Sequence, residues 1–232
     1  MKKLGKFLAT FGILIGIGAV SLAQSTQGPY KEDPTNLIYQ LLFCDSLELF
    51  QEHHHGNLEP PWSTLFSKNA DFAALTKIAE DKHQESRVRM LAFNILRNAG
   101  RPVPKKEYLG TIIEVQMEEG LDTLAVFADR GARYINFSGK ITVAEGPGGP
   151  FDAEIKDVME TSKPIVAAIG PWDNERLPPP KLGNIRMTFL VSDGLYFGEG
   201  PMGAMQGDAL ASPLISAATK LLIKIVNTST AK

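Results

Sequence analysis

The chain has 232 residues, enough for one sizeable hydrophobic core or two small ones, and its 44% hydrophobic and 22% charged residues exclude a disordered or fibrous polymer. It holds 24 lysines and arginines against 26 acids, a net charge of −2, which argues against bulk nucleic-acid binding. Cys44 is the single cysteine, so no internal disulfide can form.

Lys2, Lys3 and Lys6 precede an uncharged run, FLATFGILIGIGAVSLAQ. A basic start, an apolar middle and small residues at Ser21 and Ala23 predict a secretory signal over 1–23. The other reading is a retained anchor. Phe7 to Ala23 is 17 residues, the short limit for crossing a bilayer, and Gly12 and Gly16 make a GxxxG spacing that lets two helices approach. Either way the body is expected outside the cytoplasm: periplasmic, secreted, or held at the inner membrane, touching lipid only through residues 7–23. Without residues 1–23 the chain keeps 21 basic and 26 acidic residues, a charge of −5. Residues 24–35 are polar and proline-containing and are expected to be a linker. The folded body is expected over 36–228, helical over 36–100 and sheet-forming over 108–228, with a tail at 229–232.

DPTNLIYQLLFCDSLELFQEHHHG reads as one helix, with Leu37, Leu41 and Cys44 on one face, Asp33 or Asn36 as cap and Gly56 leaving it. Cys44 then packs as a small hydrophobe. His53, His54 and His55 fall in the last turn, where unpaired carbonyls favour a cationic imidazole. Adjacent helical residues point about 100° apart, so three in a row cannot converge on one ion. Only His53 and His55, in an extended stretch, could share a metal, and nothing nearby completes a zinc spacing. In LEPPWSTLF, Trp62, Leu65 and Phe66 are expected to plug the interhelical core. NADFAALTKIAED and ESRVRMLAFNILRNAGRPVP give two more helices, the second stopped by Gly100 and Pro102. RNAGRPVPKK, 97–106, is locally basic and reads as a solvated loop.

Near residue 109 the period becomes alternating. GTIIEVQMEE sets Ile113, Val115 and Met117 against Glu114, Gln116 and Glu118, and LDTLAVFAD is apolar on both sides, as in a central strand. ARYINF and KITVAE follow after short turns holding Gly131 and Gly139, completing a four-strand meander. FDAEIKDVMETSKPIVAAIG is a helix containing Pro164. IRMTFLVS puts Ile185, Met187, Phe189 and Val191 inward and Arg186, Thr188 and Ser192 outward, and Asp193-Gly194 turns it into LYFGEG. SPLISAATKLLIKIVN is a final helix, with Ser212 as cap and Leu214, Ala218, Leu221 and Ile225 packing. The predicted fold is α+β: N-terminal helices, an antiparallel sheet made of the meander plus a hairpin, and a C-terminal helix.

Gly198, Gly200 and Gly203 spell GxGxxG, but a dinucleotide site needs that motif to open a helix inside a parallel βαβ unit. Here Pro201 lacks an N–H, Glu199 repels phosphate, and no helix is expected before about Ser212. No cofactor is expected. The densest run of aromatic, arginine and carboxylate residues is GPWDNERLPPP through SDGLYFGEGPMGAMQGD, holding Trp172, Arg176, Asp193, Tyr196 and Glu199 among glycines and prolines. Rigid loops displaying such groups suit recognition. The expected function is therefore an exported non-catalytic domain that binds an unidentified protein or small molecule through the 172–208 loops. Arg186, Glu114, Gln116 and Thr188 on the polar sheet face would extend that surface. The alternative is a hydrolase using Asp193, Tyr196 and Glu199, or a metal at His53 and His55.

GLDTLAVFADRGARYINFSGK and GPWDNERLPPPKLGNIRMTFLVSDGLYFGEGP resemble a bacterial protein family to which no activity is attached. The resemblance covers residues 36–228. It implies one folded unit and no site.

Overall fold

A computed structural model describes residues 28–230. The expected signal or anchor at 1–23 lies outside the described residues. Among the described residues no helix is long and apolar enough to cross a membrane.

The N-terminal helices are α1 (Asp33–Leu41), α2 (Leu47–Glu52), α3 (Trp62–Leu65), α4 (Phe72–Glu80) and α5 (Ser86–Asn98). The first expected helix is thus two. Cys44 takes a left-handed φ of 55°, which breaks the helical path, and Ser46 restarts it by accepting the Leu49 N–H at 3.2 Å. Cys44 is fully buried there, as its apolar neighbours predicted. Asp71 caps α4 through Ala73 and Ala74, and Gly100 leaves α5 at φ 67°. Tyr30, inside the expected linker, is buried: Asn36 clasps its backbone N–H and carbonyl at 2.8 Å each, and its hydroxyl donates to Thr123.

The sheet strands are β1 (Tyr108–Gln116), β2 (Leu121–Phe127), β3 (Ala132–Ile135), β4 (Ile141–Ala144), β5 (Asn184–Val191) and β6 (Gly194–Pro201), in the order β4-β3-β2-β1-β5-β6. Every pairing is antiparallel, so the α+β class with meander and hairpin holds. Helix α6 (Asp152–Ala168) carries the chain from the outer edge of the meander across to β5. The short α7 (Met202–Gly207) and the long α8 (Ala211–Thr230) follow β6. A helix therefore does begin just after Gly200, earlier than expected, but β6 sits in an antiparallel hairpin and not in a parallel βαβ unit. The cap of α8 is Asp208, which accepts Leu210 and Ala211 N–H groups, rather than Ser212.

Helices cover the sheet on both faces. One face buries Ile113, Leu124, Met187, Phe189 and Tyr196 against α6 and α8. The other buries Ile112, Ala125, Phe127 and Leu190 against the N-terminal helices. This corrects the open polar sheet face: Glu114 is 0% exposed, Thr188 1% and Arg186 5%. The alternation was right, but the face it marked as outward is roofed.

Gly110 sits at a register shift in β1, where an added Cβ would lie 2.8 Å from the Val126 carbonyl oxygen. Backbone in mid-sheet yields little, so Gly110→Ala is expected to cost about 1–3 kcal/mol, read as a lowered denaturant midpoint. An unchanged midpoint would show that β1 and β2 can part at no cost.

Candidate functional site: a buried polar row and a basic cavity

The roofed face carries a line of polar side chains in register across four strands. Thr123 of β2 faces Glu114 of β1, which faces Arg186 of β5, which faces Glu199 of β6. Arg186 donates through Nε and Nη2 to Glu199 at 2.8 and 2.6 Å, and through Nη1 to the Leu177 and Pro178 carbonyls at 3.1 and 2.6 Å. Its distance to Glu114 is 4.0 Å. Tyr39 of α1 donates to Glu114 Oε1 at 2.6 Å, while Oε2, also buried, has Arg186 at 4.0 Å but no hydrogen-bond partner. Burial drives the Glu114 carboxyl above its ordinary range, against the pull of Tyr39 and Arg186. Glu199 is also raised by burial, but hydrogen bonds from Asn184 and Arg186 outweigh this and hold it low. The difference lies in who receives the arginine's hydrogen bonds.

The sequence-predicted site residues are drawn into this framework. Arg176 donates to Asp45 at 2.6 Å and to Gln40, and its guanidinium lies 3.9 Å from the centre of the Phe43 ring. It fastens the 172–180 loop to the N-terminal helices. Trp172 is half-buried, edge-on to Phe197 at 5.0 Å, with its indole N–H on the Glu175 carbonyl. Tyr196 is fully buried, its hydroxyl bonded to Asp193 at 3.1 Å. Asp193 also accepts the Lys106 backbone N–H. The structure does not bring Asp193, Tyr196 and Glu199 to one point. Tyr196 belongs to the face under α6 and α8, whereas Glu199 belongs to the opposite face with Arg186. Asp193 sits in the turn before β6 and Glu199 six residues further along the strand, about 20 Å apart at the usual strand rise. That geometry cannot place both carboxyls on one bond.

The histidines do not fill the last helical turn as expected: α2 stops at Glu52, and His54 and His55 lie past its end. His53 is the C-cap of α2, its Nδ1 3.0 Å from the Leu49 carbonyl oxygen, and the His54 ring packs on Trp62 and Phe66 at 5.2 and 5.5 Å. Among the described residues no group of three His, Cys, Asp or Glu is placed to hold a metal.

Sequence reasoning missed a cavity of about 550 Å³ where the start of α5, the start of β1, the β2–β3 turn and α6 meet. Six cationic side chains line it (Lys82, Arg89, Lys106, Arg130, Lys156 and Lys163) against three carboxylates, Glu107, Asp129 and Glu160. The carboxylates are already engaged. Arg89 holds Glu107, Lys163 holds Glu160, and Asp129 accepts the Ser86 and Gly131 backbone N–H groups. Lys106 donates to the Ala167 and Ile169 carbonyls at the end of α6, neutral acceptors that position the ammonium without cancelling its charge. The Lys82 and Lys156 side chains are exposed and make no hydrogen bond or salt bridge with another described residue. Lys106 and Arg130 have left-handed φ values of 57° and 72°, two of the three non-glycine cases among the described residues. Such strain is held only where the surroundings over-determine it. The one signal in the chain was the basic run ending at Lys105 and Lys106. Its partners stand up to 57 residues away in sequence, from Lys82 on one side to Lys163 on the other.

The chain matches no protein-family model, no curated protein and no solved structure.

Proposed function

We propose that the chain is an exported, non-catalytic binding domain that holds a small anionic ligand in the basic cavity. The observation that carries this reading is the charge left after internal pairing. Glu107 and Glu160 are paired with cations and Asp129 is held only by backbone N–H groups, so the three ammonium groups of Lys82, Lys106 and Lys156 face one lining carboxylate that has no ion-pair partner. In a chain whose acids outnumber its bases, so local an excess of cations is a focused positive field that draws anions. The volume falls within the range of small-molecule sites. Export is supported by the basic, then apolar, then small-residue pattern of residues 1–23.

Calorimetric titration of the full chain with succinate, inorganic phosphate and ethanolamine tests the reading. The two anions are expected to bind and the cation not, and binding should weaken as salt rises. The Lys82→Glu, Lys156→Glu double variant, altered only at exposed positions, should fold normally by circular dichroism and lose anion binding. Equal heats for the variant and the parent chain would overturn the cavity as the site.

A second reading keeps the 172–208 loops as a contact surface for a partner. It is favoured by Leu177 and Leu182, 37% and 62% exposed on a segment stiffened by Arg176 and Arg186. Leu182→Asp should then abolish capture of that partner while leaving anion titrations unchanged.

A further inference from the structure

We infer that the ligand is a phosphomonoester with a compact apolar body, an inference that rests on the anion-binding reading of the same cavity. The uncommitted cations decide the anion class. Both lining arginines, the residues whose planar fork matches a carboxylate, are already paired: Arg89 with Glu107 and Arg130 with Asp152. What remains is three ammonium groups, compact point charges carried on flexible stems. They come from three separate segments: Lys82 before α5, Lys106 before β1, and Lys156 on α6. Point charges converging from several sides suit a tetrahedral group of charge −2, which presents oxygens in every direction. A carboxylate has one plane and one charge. One ammonium is fixed and two are free. Lys106 is pinned by the end of α6 and by its own backbone bond to Asp193, so it marks a set position. The Lys82 and Lys156 side chains make no hydrogen bond or salt bridge, and Lys156 feels only the field of Glu160 one turn further along α6.

The rest of the lining decides the body. Tyr108, Ala128 and Met159 contribute apolar surface beneath the cations. Tyr108 and Met159 also belong to the core of the α6 face, so this floor is fixed and cannot collapse to fill the space. An anion alone would leave it wet. A ligand with a ring or short hydrocarbon body covers it and gains the transfer free energy of that contact.

The test titrates the full chain with phenyl phosphate, inorganic phosphate and benzoate at pH 5 and pH 7.5. A phosphomonoester gains its second negative charge near pH 6, whereas benzoate is already mostly ionised at pH 5 and changes its charge little by pH 7.5. Phenyl phosphate is expected to bind about tenfold more tightly than either other probe at pH 7.5. Its affinity should rise severalfold between the two pH values while that of benzoate stays level. Lys156→Gln should remove most of the rise. Benzoate binding as well as phenyl phosphate would overturn the phosphate class and leave the anion-binding reading standing. Inorganic phosphate equal to phenyl phosphate would overturn the apolar body. No binding by any of the three would overturn this inference and the anion-binding reading together.

Discussion

Replacing Arg186 with methionine is expected to cost about 3–5 kcal/mol of folding free energy, because it strips one partner from a buried ionic group. Methionine keeps most of the stem volume, so the loss reads as charge and hydrogen bonding rather than a cavity. Glu199 loses both its arginine hydrogen bonds, Glu114 loses its nearest cation, and the Leu177 and Pro178 carbonyls lose their donor. Two readouts follow. The denaturant midpoint falls, and amide exchange over residues 172–182 quickens because the loop loses its anchor to the sheet. Adding Glu199→Gln to Arg186→Met should recover part of the loss, since a neutral amide costs less to leave without a cation. A midpoint within error of the parent protein would remove the polar row as a support of the fold.

Replacing Tyr39 with phenylalanine is expected to cost about 1–3 kcal/mol, the penalty of leaving Glu114 without its donor. The pH dependence separates this from simple packing loss. Burial raises the Glu114 carboxyl in the folded state above its ordinary value near 4.5. Its ionised form is therefore disfavoured more in the native than in the unfolded chain. Its contribution is fully present below the unfolded value and is lost as pH rises toward the raised folded value. Glu199 runs the other way: held low, it stabilises at higher pH and loses that contribution on acidification. The comparison that isolates Glu114 is with Glu114→Gln. The difference in stability between the parent chain and this variant should shift in favour of the variant as pH rises from 4.5. In Tyr39→Phe the same shift should extend to higher pH, because the tyrosine hydrogen bond lowers the Glu114 value. Parallel curves for all three proteins would mean that Glu114 does not titrate differently in the folded state.

Much of the fold was legible because strand pattern and turn chemistry are local. Ile185, Met187, Phe189 and Val191 alternate with Arg186 and Thr188, and the Asp193-Gly194 turn closes the hairpin where expected. The break at Cys44 was not legible, since LLFCDSLELF keeps a helical stripe straight through a residue that the fold holds at positive φ. Tyr30 was missed for the same kind of reason. Its neighbours are polar, and only the Asn36 clasp and the distant Thr123 show that it packs.

Residue types alone ranked Trp172, Arg176, Arg186, Asp193, Tyr196 and Glu199 as candidates for contact with other molecules. Their partners are within the chain: Asp45 and Gln40 for Arg176, Glu199 for Arg186, Asp193 for Tyr196. An arginine beside prolines looks the same in sequence whether it meets a ligand or a carboxylate 131 residues away. Of the cavity's lysines only Lys106 fell in a run that stood out, and that run read as a solvated loop; the others sit in ordinary surface sequence, and only the fold brings them to one cavity.

From its residues alone this chain dictates an α+β class and an antiparallel meander and hairpin, because periodicity and turn glycines act over a few neighbouring positions. Tertiary structure decided that helices cover both sheet faces, that the polar row is sealed beneath one of them, and that six cations from four segments border one cavity. Those outcomes depend on which distant surfaces meet, and burial and electrostatic fields are properties of that meeting.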